Sequence, residues 1–179
     1  MTETLILLSH PDYATSRANR ALVGAVATLP GVEVAHLEAL CPDGRFDLEA
    51  EVARLLAARR IVLQFPVQWY STPPLLKAWQ DAVLTRMFYV KAEAEGARLA
   101  GRPLLVAATA GNRPEAYSAA GVNLYPLPEL LRPLHATAHR CGLAWQAPFL
   151  LFNAKAASDG ELASAGAAYR ERLLALGQE

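Results

Sequence analysis

Short apolar runs punctuate this chain, and a segment with helical periodicity follows each of them. Thr4-Leu5-Ile6-Leu7-Leu8 is apolar without alternation, the pattern of a strand covered on both faces. Ser9 to Thr15 is a polar loop. Ser16 then stands as a helix N-cap before Ala18, Leu22, Val26 and Leu29, which recur on one face until Pro30-Gly31 stops them. Val32 to Leu37 reads as a second strand, and Asp47 to Ala58 as a helix with Leu48, Val52, Leu55 and Leu56 on one side. Ile61 to Phe65 is the third strand. Pro66 ends it, a loop carrying Trp69 and Tyr70 follows, and Pro73-Pro74 opens a helix that runs to Leu84, with proline at the tolerated first turn. Lys91 to Arg102 reads as loop, Pro103 to Ala108 as the fourth strand, and Thr109 to Asn123 as loop again. Leu127 to Cys141 is helical, with Pro133 either kinking it or marking a second start, and Gly142 ends it. Leu143 to Phe152 contains the fifth strand, and Asp159 to Leu176 is the closing helix.

Five alternations of strand and helix predict an α/β fold: a doubly wound, five-stranded parallel sheet in the order 2-1-3-4-5, helices on both faces, with residues 1–179 as one domain. The 179 residues are 53% hydrophobic, enough to build a core without disulfide or metal staples. Charge is balanced at 17 basic and 17 acidic side chains, which gives no electrostatic ground for a nucleic-acid partner. Cys41 and Cys141 lie far apart without C-x-x-C spacing and read as reduced thiols, and no carboxylate–His cluster suggests a metal. No cationic leader precedes the first strand and no apolar run is long enough to span a bilayer, so the expected location is cytoplasmic.

In the order 2-1-3-4-5, the loops after strands one, three and four converge on one crevice at the switch point of the sheet. The first, SHPDYATSRAN, lacks both the G-x-x-x-x-G-K-[ST] and the G-x-G-x-x-G patterns. It offers His10, the hydroxyls of Thr15 and Ser16, the guanidinium of Arg17, the amide of Asn19 and a helix N-terminus, a set suited to a phosphate. The second supplies the aromatic Trp69 and Tyr70. The third, Thr109-Ala110-Gly111-Asn112, lets backbone N–H groups approach a flat ring, and Tyr117 beyond it brings a phenol. A phosphate site, an aromatic wall and a glycine-bearing loop together fit a phosphorylated planar heterocycle, a flavin better than a free nucleotide.

Five blocks, SHPDYATSRAN, FPVQWYSTPPLLKAWQD, LAGRPLLVAATAG, LRPLHATAHRCGLAWQAPF and YRERLLAL, run in order across nearly the whole chain. In them the sequence resembles the flavodoxin-like NAD(P)H:quinone oxidoreductases. More narrowly, it is similar to the bacterial branch containing the ancillary oxidoreductase of glutathione-regulated potassium efflux systems. The resemblance implies a homodimer with FMN, or alternatively FAD, that takes a hydride from NADH or NADPH and passes two electrons to a quinone; the mechanism expected for it is a ping-pong cycle. It also implies that His10, Ser16, Arg17, Ala18 and Asn19 hold the flavin phosphate. Val67, Gln68, Trp69 and Tyr70 would line the isoalloxazine, and Thr109, Ala110, Gly111 and Asn112 its other edge. Mammalian-type members pair a Tyr with a His over the flavin. Here Tyr117 matches the Tyr, and Asn123 stands at the aligned position of the His, where an amide can hydrogen-bond but cannot supply a proton. Two other readings stay open. One is an ancillary role on a potassium-efflux transporter, which would bring the chain to the inner membrane. The other is azo- or nitroreductase activity on the same flavin.

Overall fold

The computed structural model describes residues 2–176. Met1 and residues 177–179, the extremes of the predicted domain, lie outside the described residues. Strand β1 (Thr4–Leu8) lies between β2 (Val32–His36) and β3 (Arg60–Pro66), and β3 pairs on its far side with β4 (Pro103–Thr109). All pairings are parallel, with Leu8 opposite Gln64 and Pro66 opposite Thr109. The predicted order 2-1-3-4-5 is borne out, with one correction: the fifth position is occupied by two short strands, β5 (Ala144–Trp145) and β6 (Phe149–Leu151), both paired to β4. Leu104 faces Trp145 and Ala107 faces Phe149, so the outer strand spends one residue more than its partner between these pairs. That extra residue is a bulge, and Pro148, which has no N–H to give the ladder, lies within it.

The unbroken apolar runs now have their reason. All of β1 and the interiors of β3 and β4 are buried, because both faces of the sheet are covered. Leu5, Leu7, Leu63, Phe65, Leu104 and Val106 point to one side, where they meet Val52 and Leu55 of helix α3 (Leu48–Ala57), Leu76 and Trp79 of α4 (Pro74–Trp79) and Leu134 of α6 (Arg132–Arg140). Ile6, Val62, Leu105 and Ala107 point to the other side, against Leu22 and Val26 of α1 (Arg17–Val26) and Tyr169 and Leu173 of α7 (Asp159–Ala175). Each fully buried Leu, Ile or Phe contributes about 1.5–3 kcal/mol. Gly166 lets α7 approach α1: a Cβ there would sit 3.1 Å from the Ala25 Cβ.

Helix ends follow the residues that cap them. The Ser16 side chain accepts from the Asn19 N–H, Asp47 caps α3 in the same way, and Ser158 with Glu161 forms a capping box on α7. The carbonyls at the end of α3 accept from Arg102, which donates to Leu55 and Leu56 at 3.0 and 3.1 Å. Pro133 marks a second start: a short turn, α5 (Leu127–Leu130), precedes α6, and Gly142 closes α6 at φ 66°. A four-residue helix, α2 (Leu37–Leu40), follows β2 directly. The helix begun by α4 does not stop at Leu84 but continues through π-type turns, Gln80–Leu84 and Arg86–Val90. Burial of Val83 and Met87 holds this extension, as does the Arg86–Glu95 pair, whose Nη2 and Oε1 are 2.7 Å apart.

Candidate functional site

A cavity of about 360 Å³ opens at the carboxyl ends of β1, β3, β4 and β6. It is lined by His10, Thr15, Ser16, Arg17, Ala18, Asn19, Val67, Gln68, Thr109, Ala110 and Gly111 of the predicted residues, together with Pro66, Ala154 and Lys155. The strand ends are stitched together beneath it: the Val67 N–H donates to the Thr109 carbonyl at 2.8 Å, and the Ala110 N–H to that of Leu151, also at 2.8 Å.

At one end of the cavity α1 begins. The Ser16 hydroxyl takes the Asn19 N–H at 3.3 Å, and the Ser16 carbonyl takes that of Arg20 at 3.1 Å. Among the described residues the N–H groups of Arg17 and Ala18 have no acceptor, so they remain for an anion, helped by the helix dipole. His10 Nδ1 accepts the Asp12 N–H at 3.1 Å, which leaves its remaining proton on Nε2 as a donor. Burial pushes the His10 pKa below its usual value, against the opposing pull of Glu38 and Asp12, so the ring is neutral at pH 7. Arg17 lines the cavity, but its guanidinium is engaged elsewhere. Its Nη1 donates to the Ala157 carbonyl at 2.9 Å and its Nη2 to Asp159 Oδ1 at 2.6 Å, which ties α1 to the start of α7.

Beneath this end runs a buried polar chain. Asn19 Nδ2 donates to Thr109 Oγ1 at 3.0 Å, Gln64 Nε2 donates to the Asn19 carbonyl at 3.2 Å, and the Tyr169 hydroxyl donates to Gln64 Oε1 at 3.1 Å. These four side chains are almost wholly buried, so each needs the others. The network locks α1, β3, β4 and α7 into one floor, and burial raises the Tyr169 pKa far enough to keep its phenol protonated.

The other end is built differently. Residues 68–71 form a tight turn in which Gln68 and Ser71 exchange both backbone hydrogen bonds at 3.0 Å, with Trp69 at φ 45° and Tyr70 at φ 65°. Two consecutive left-handed residues normally mean Asn-Gly, and here bulky aromatics take the places. Trp69 is 94% exposed and, like Tyr70, does not line the cavity. The Tyr70 hydroxyl donates to Asn123 Oδ1 at 3.3 Å. Asn123 is buried, yet its Nδ2 has no acceptor among the described residues. Tyr117 packs on Phe152 at 5.5 Å, and its pKa is raised first by burial and then by Tyr70. Asn112 is exposed, and its carbonyl takes the Asn153 N–H at 2.9 Å. Tyr117, Asn123 and Asn112 stand outside the cavity lining, so the structure does not bring them onto it.

The pieces that sequence reasoning missed are Pro66, Ala154 and Lys155. The last two follow β6, whose carboxyl end borders the same crevice, and that placement was the available signal. The residues present fit a flavin phosphate and ring. The N–H groups of Arg17 and Ala18 await acceptors, and a Cβ placed on Gly111 would meet nothing within 4 Å, so the backbone there is open to a flat partner. No carboxylate lines the space, among the described residues.

Fold and cavity together define a flavodoxin-type scaffold. The chain belongs to the flavodoxin-like fold family, which matches it over residues 2–173. It is 41% identical over 173 residues to the glutathione-regulated potassium-efflux system ancillary protein KefG of Cronobacter sakazakii, covering 97% of this chain and 92% of that one. Among solved structures it is similar to general stress protein 14 of Treponema denticola in complex with FMN, at 32% identity and a TM-score of 0.84, covering 96% of each chain. It is also similar to an NADPH-quinone reductase of P. pentosaceus, at 27% identity and a TM-score of 0.84, covering 94% of this chain and 96% of that one. No helix among the described residues is long and apolar enough to cross a membrane, and no group of metal-ligating side chains is found among them.

Proposed function

We propose that this chain is an FMN-dependent NAD(P)H:quinone oxidoreductase. The observation that carries the reading is the cavity at the switch point, which joins the unsatisfied N–H groups of α1 to the open backbone of Gly111. The similar chain in complex with FMN and the similar NADPH-quinone reductase support the cofactor and the reaction class. When bound, the flavin supplies hydride transfer, so that NAD(P)H and a proton convert a quinone to its quinol.

The protein's part is to hold, orient and keep dry. Ser16, Arg17, Ala18 and Asn19 seat the phosphate on the first turn of α1, and the His10 Nε2–H donates to it. Val67 and Gln68 on one side, with Thr109, Ala110 and Gly111 on the other, form the slot for the ring; the N–H groups of Val67, Gln68 and Ala110 are engaged within the chain, which leaves that of Gly111 to stabilise the negative charge gained on reduction. Trp69, Tyr70 and Asn112 stand at its mouth, and Tyr117 and Asn123 offer a phenol O–H and an amide N–H to the acceptor. Neither Tyr117 nor Asn123 is a strong acid, so the acceptor takes its proton from water or the phenol rather than from an imidazolium.

One slot serving donor and acceptor in turn gives parallel lines in double-reciprocal plots of initial velocity, and intersecting lines would contradict the shared slot. The chain is further proposed to be a homodimer, with the exposed Trp69, Val122 and Tyr125 covered by the second copy; sedimentation of the purified protein tests this. The likeness to KefG favours a second role, attachment to a potassium-efflux transporter at the inner membrane. Co-purification with a transporter encoded beside it tests that role.

A further inference from the structure

We propose that Lys155 is the cation that neutralises the phosphoryl group of the bound cofactor; this rests on the flavin reading above. A phosphomonoester carries about −1.5 to −2 charges at pH 7 and needs more than helix N–H groups to replace its lost hydration. Three lining residues could offer positive charge: His10, Arg17 and Lys155. His10 is held neutral by burial. The Arg17 guanidinium is taken by the Ala157 carbonyl and Asp159. Lys155 has neither a hydrogen-bond nor an ion-pair partner among the described residues, and no lining carboxylate competes for it.

Its position is fixed even though its side chain is exposed. The Asn153 N–H donates to the Asn112 carbonyl and the Ala154 N–H to that of Ala110, each at 2.9 Å, while Ala157 donates back to the Asn153 carbonyl at 2.9 Å. Asn153 turns the chain at φ 54°. The segment thus bridges from the loop after β4 to the Arg17 anchor at the head of α1, and Lys155 stands between these two moorings. A long, flexible ammonium on a rigid base can close over a phosphate after it has entered.

The test compares FMN with riboflavin, which lacks the phosphate, by fluorescence titration of the full chain freed of flavin. Lys155→Met weakens FMN about tenfold and Lys155→Glu about a hundredfold, Lys155→Arg restores it, and riboflavin affinity is unchanged throughout. Salt weakens FMN binding to the wild type more than to the Met variant. Equal FMN affinity in wild type and Lys155→Glu overturns the proposal, as does a parallel loss of riboflavin. A wild-type chain that binds neither flavin overturns the flavin reading itself and this proposal with it.

Discussion

At the α1 end of the cavity every buried polar side chain of the floor is paired below the surface. At the end where residues 68–71 turn, two aromatic residues sit in left-handed backbone and the Asn123 amide donor is buried without an acceptor among the described residues. The first region is finished within one chain. The second carries strain of about 1–3 kcal/mol at each of Trp69 and Tyr70, set against the paired Gln68–Ser71 backbone bonds and the Tyr70–Asn123 hydrogen bond. A pocket that must retain a cofactor through every turnover gains from a rigid floor. A mouth that must admit two different substrates in succession gains from residues that find their partners only when something is bound. The contrast separates holding from turning over.

The contrast breaks most sharply at Ser16. Ser16→Asp keeps an N-cap, so α1 still forms, but it sets a carboxylate against the phosphate. FMN affinity should fall by about 3 kcal/mol, roughly a hundredfold, in a fluorescence titration, with thermal stability retained. Unchanged retention would mean that the phosphate lies elsewhere.

Next comes the floor. Tyr169→Phe leaves Gln64 Oε1 buried without its donor and should cost about 1–3 kcal/mol in urea unfolding, with weaker FMN binding as Asn19 loosens. A neutral result would show that the network is not what keeps the floor rigid.

The mouth should respond in the opposite sense. Replacing Trp69-Tyr70 by Asn-Gly relieves the left-handed strain and should stabilise the chain by about 2 kcal/mol while NAD(P)H-dependent quinone turnover falls. Lower stability in that variant would contradict the strain argument.

The smallest effect concerns pH. Burial raises the Tyr117 pKa above its ordinary 10.0, so the phenol stays protonated and turnover should be flat from about pH 6 to about pH 9. The stability that the folded state gains by holding this proton is present below pH 10 and is lost as pH rises through the raised value. Tyr117→Phe should remove that alkaline loss and lower turnover a few-fold, read from pH-dependent unfolding and from kcat.

How much of this was legible beforehand follows from where burial is complete. The runs Thr4 to Leu8, Ile61 to Phe65 and Pro103 to Ala108 announce strands because both faces of the sheet are covered there, and Gln64, a polar side chain inside them, is paired with Asn19 and Tyr169; those strands fix the order and the crevice. The sequence shows the outer strand as one piece, because its bulge is a matter of register with β4 and is visible only once Trp145 and Phe149 have partners. The run from Thr85 to Val90 carries no local cap signal; its helix is held by burial of Val83 and Met87 and by the Arg86–Glu95 pair. At the site, residue types were legible but side-chain allegiance was not. Arg17 carries the right charge for a phosphate, and only the fold reveals that Asp159 already holds it. Lys155 has no motif of its own; only the pairing of β6 with β4 brings the loop that carries it to the crevice.

The most direct measurement is the absorption spectrum of the purified chain, followed by the mass of whatever heat releases from it. The account predicts a yellow protein with flavin absorption and one FMN released per chain. A colourless protein that stays colourless after incubation with FMN would contradict it.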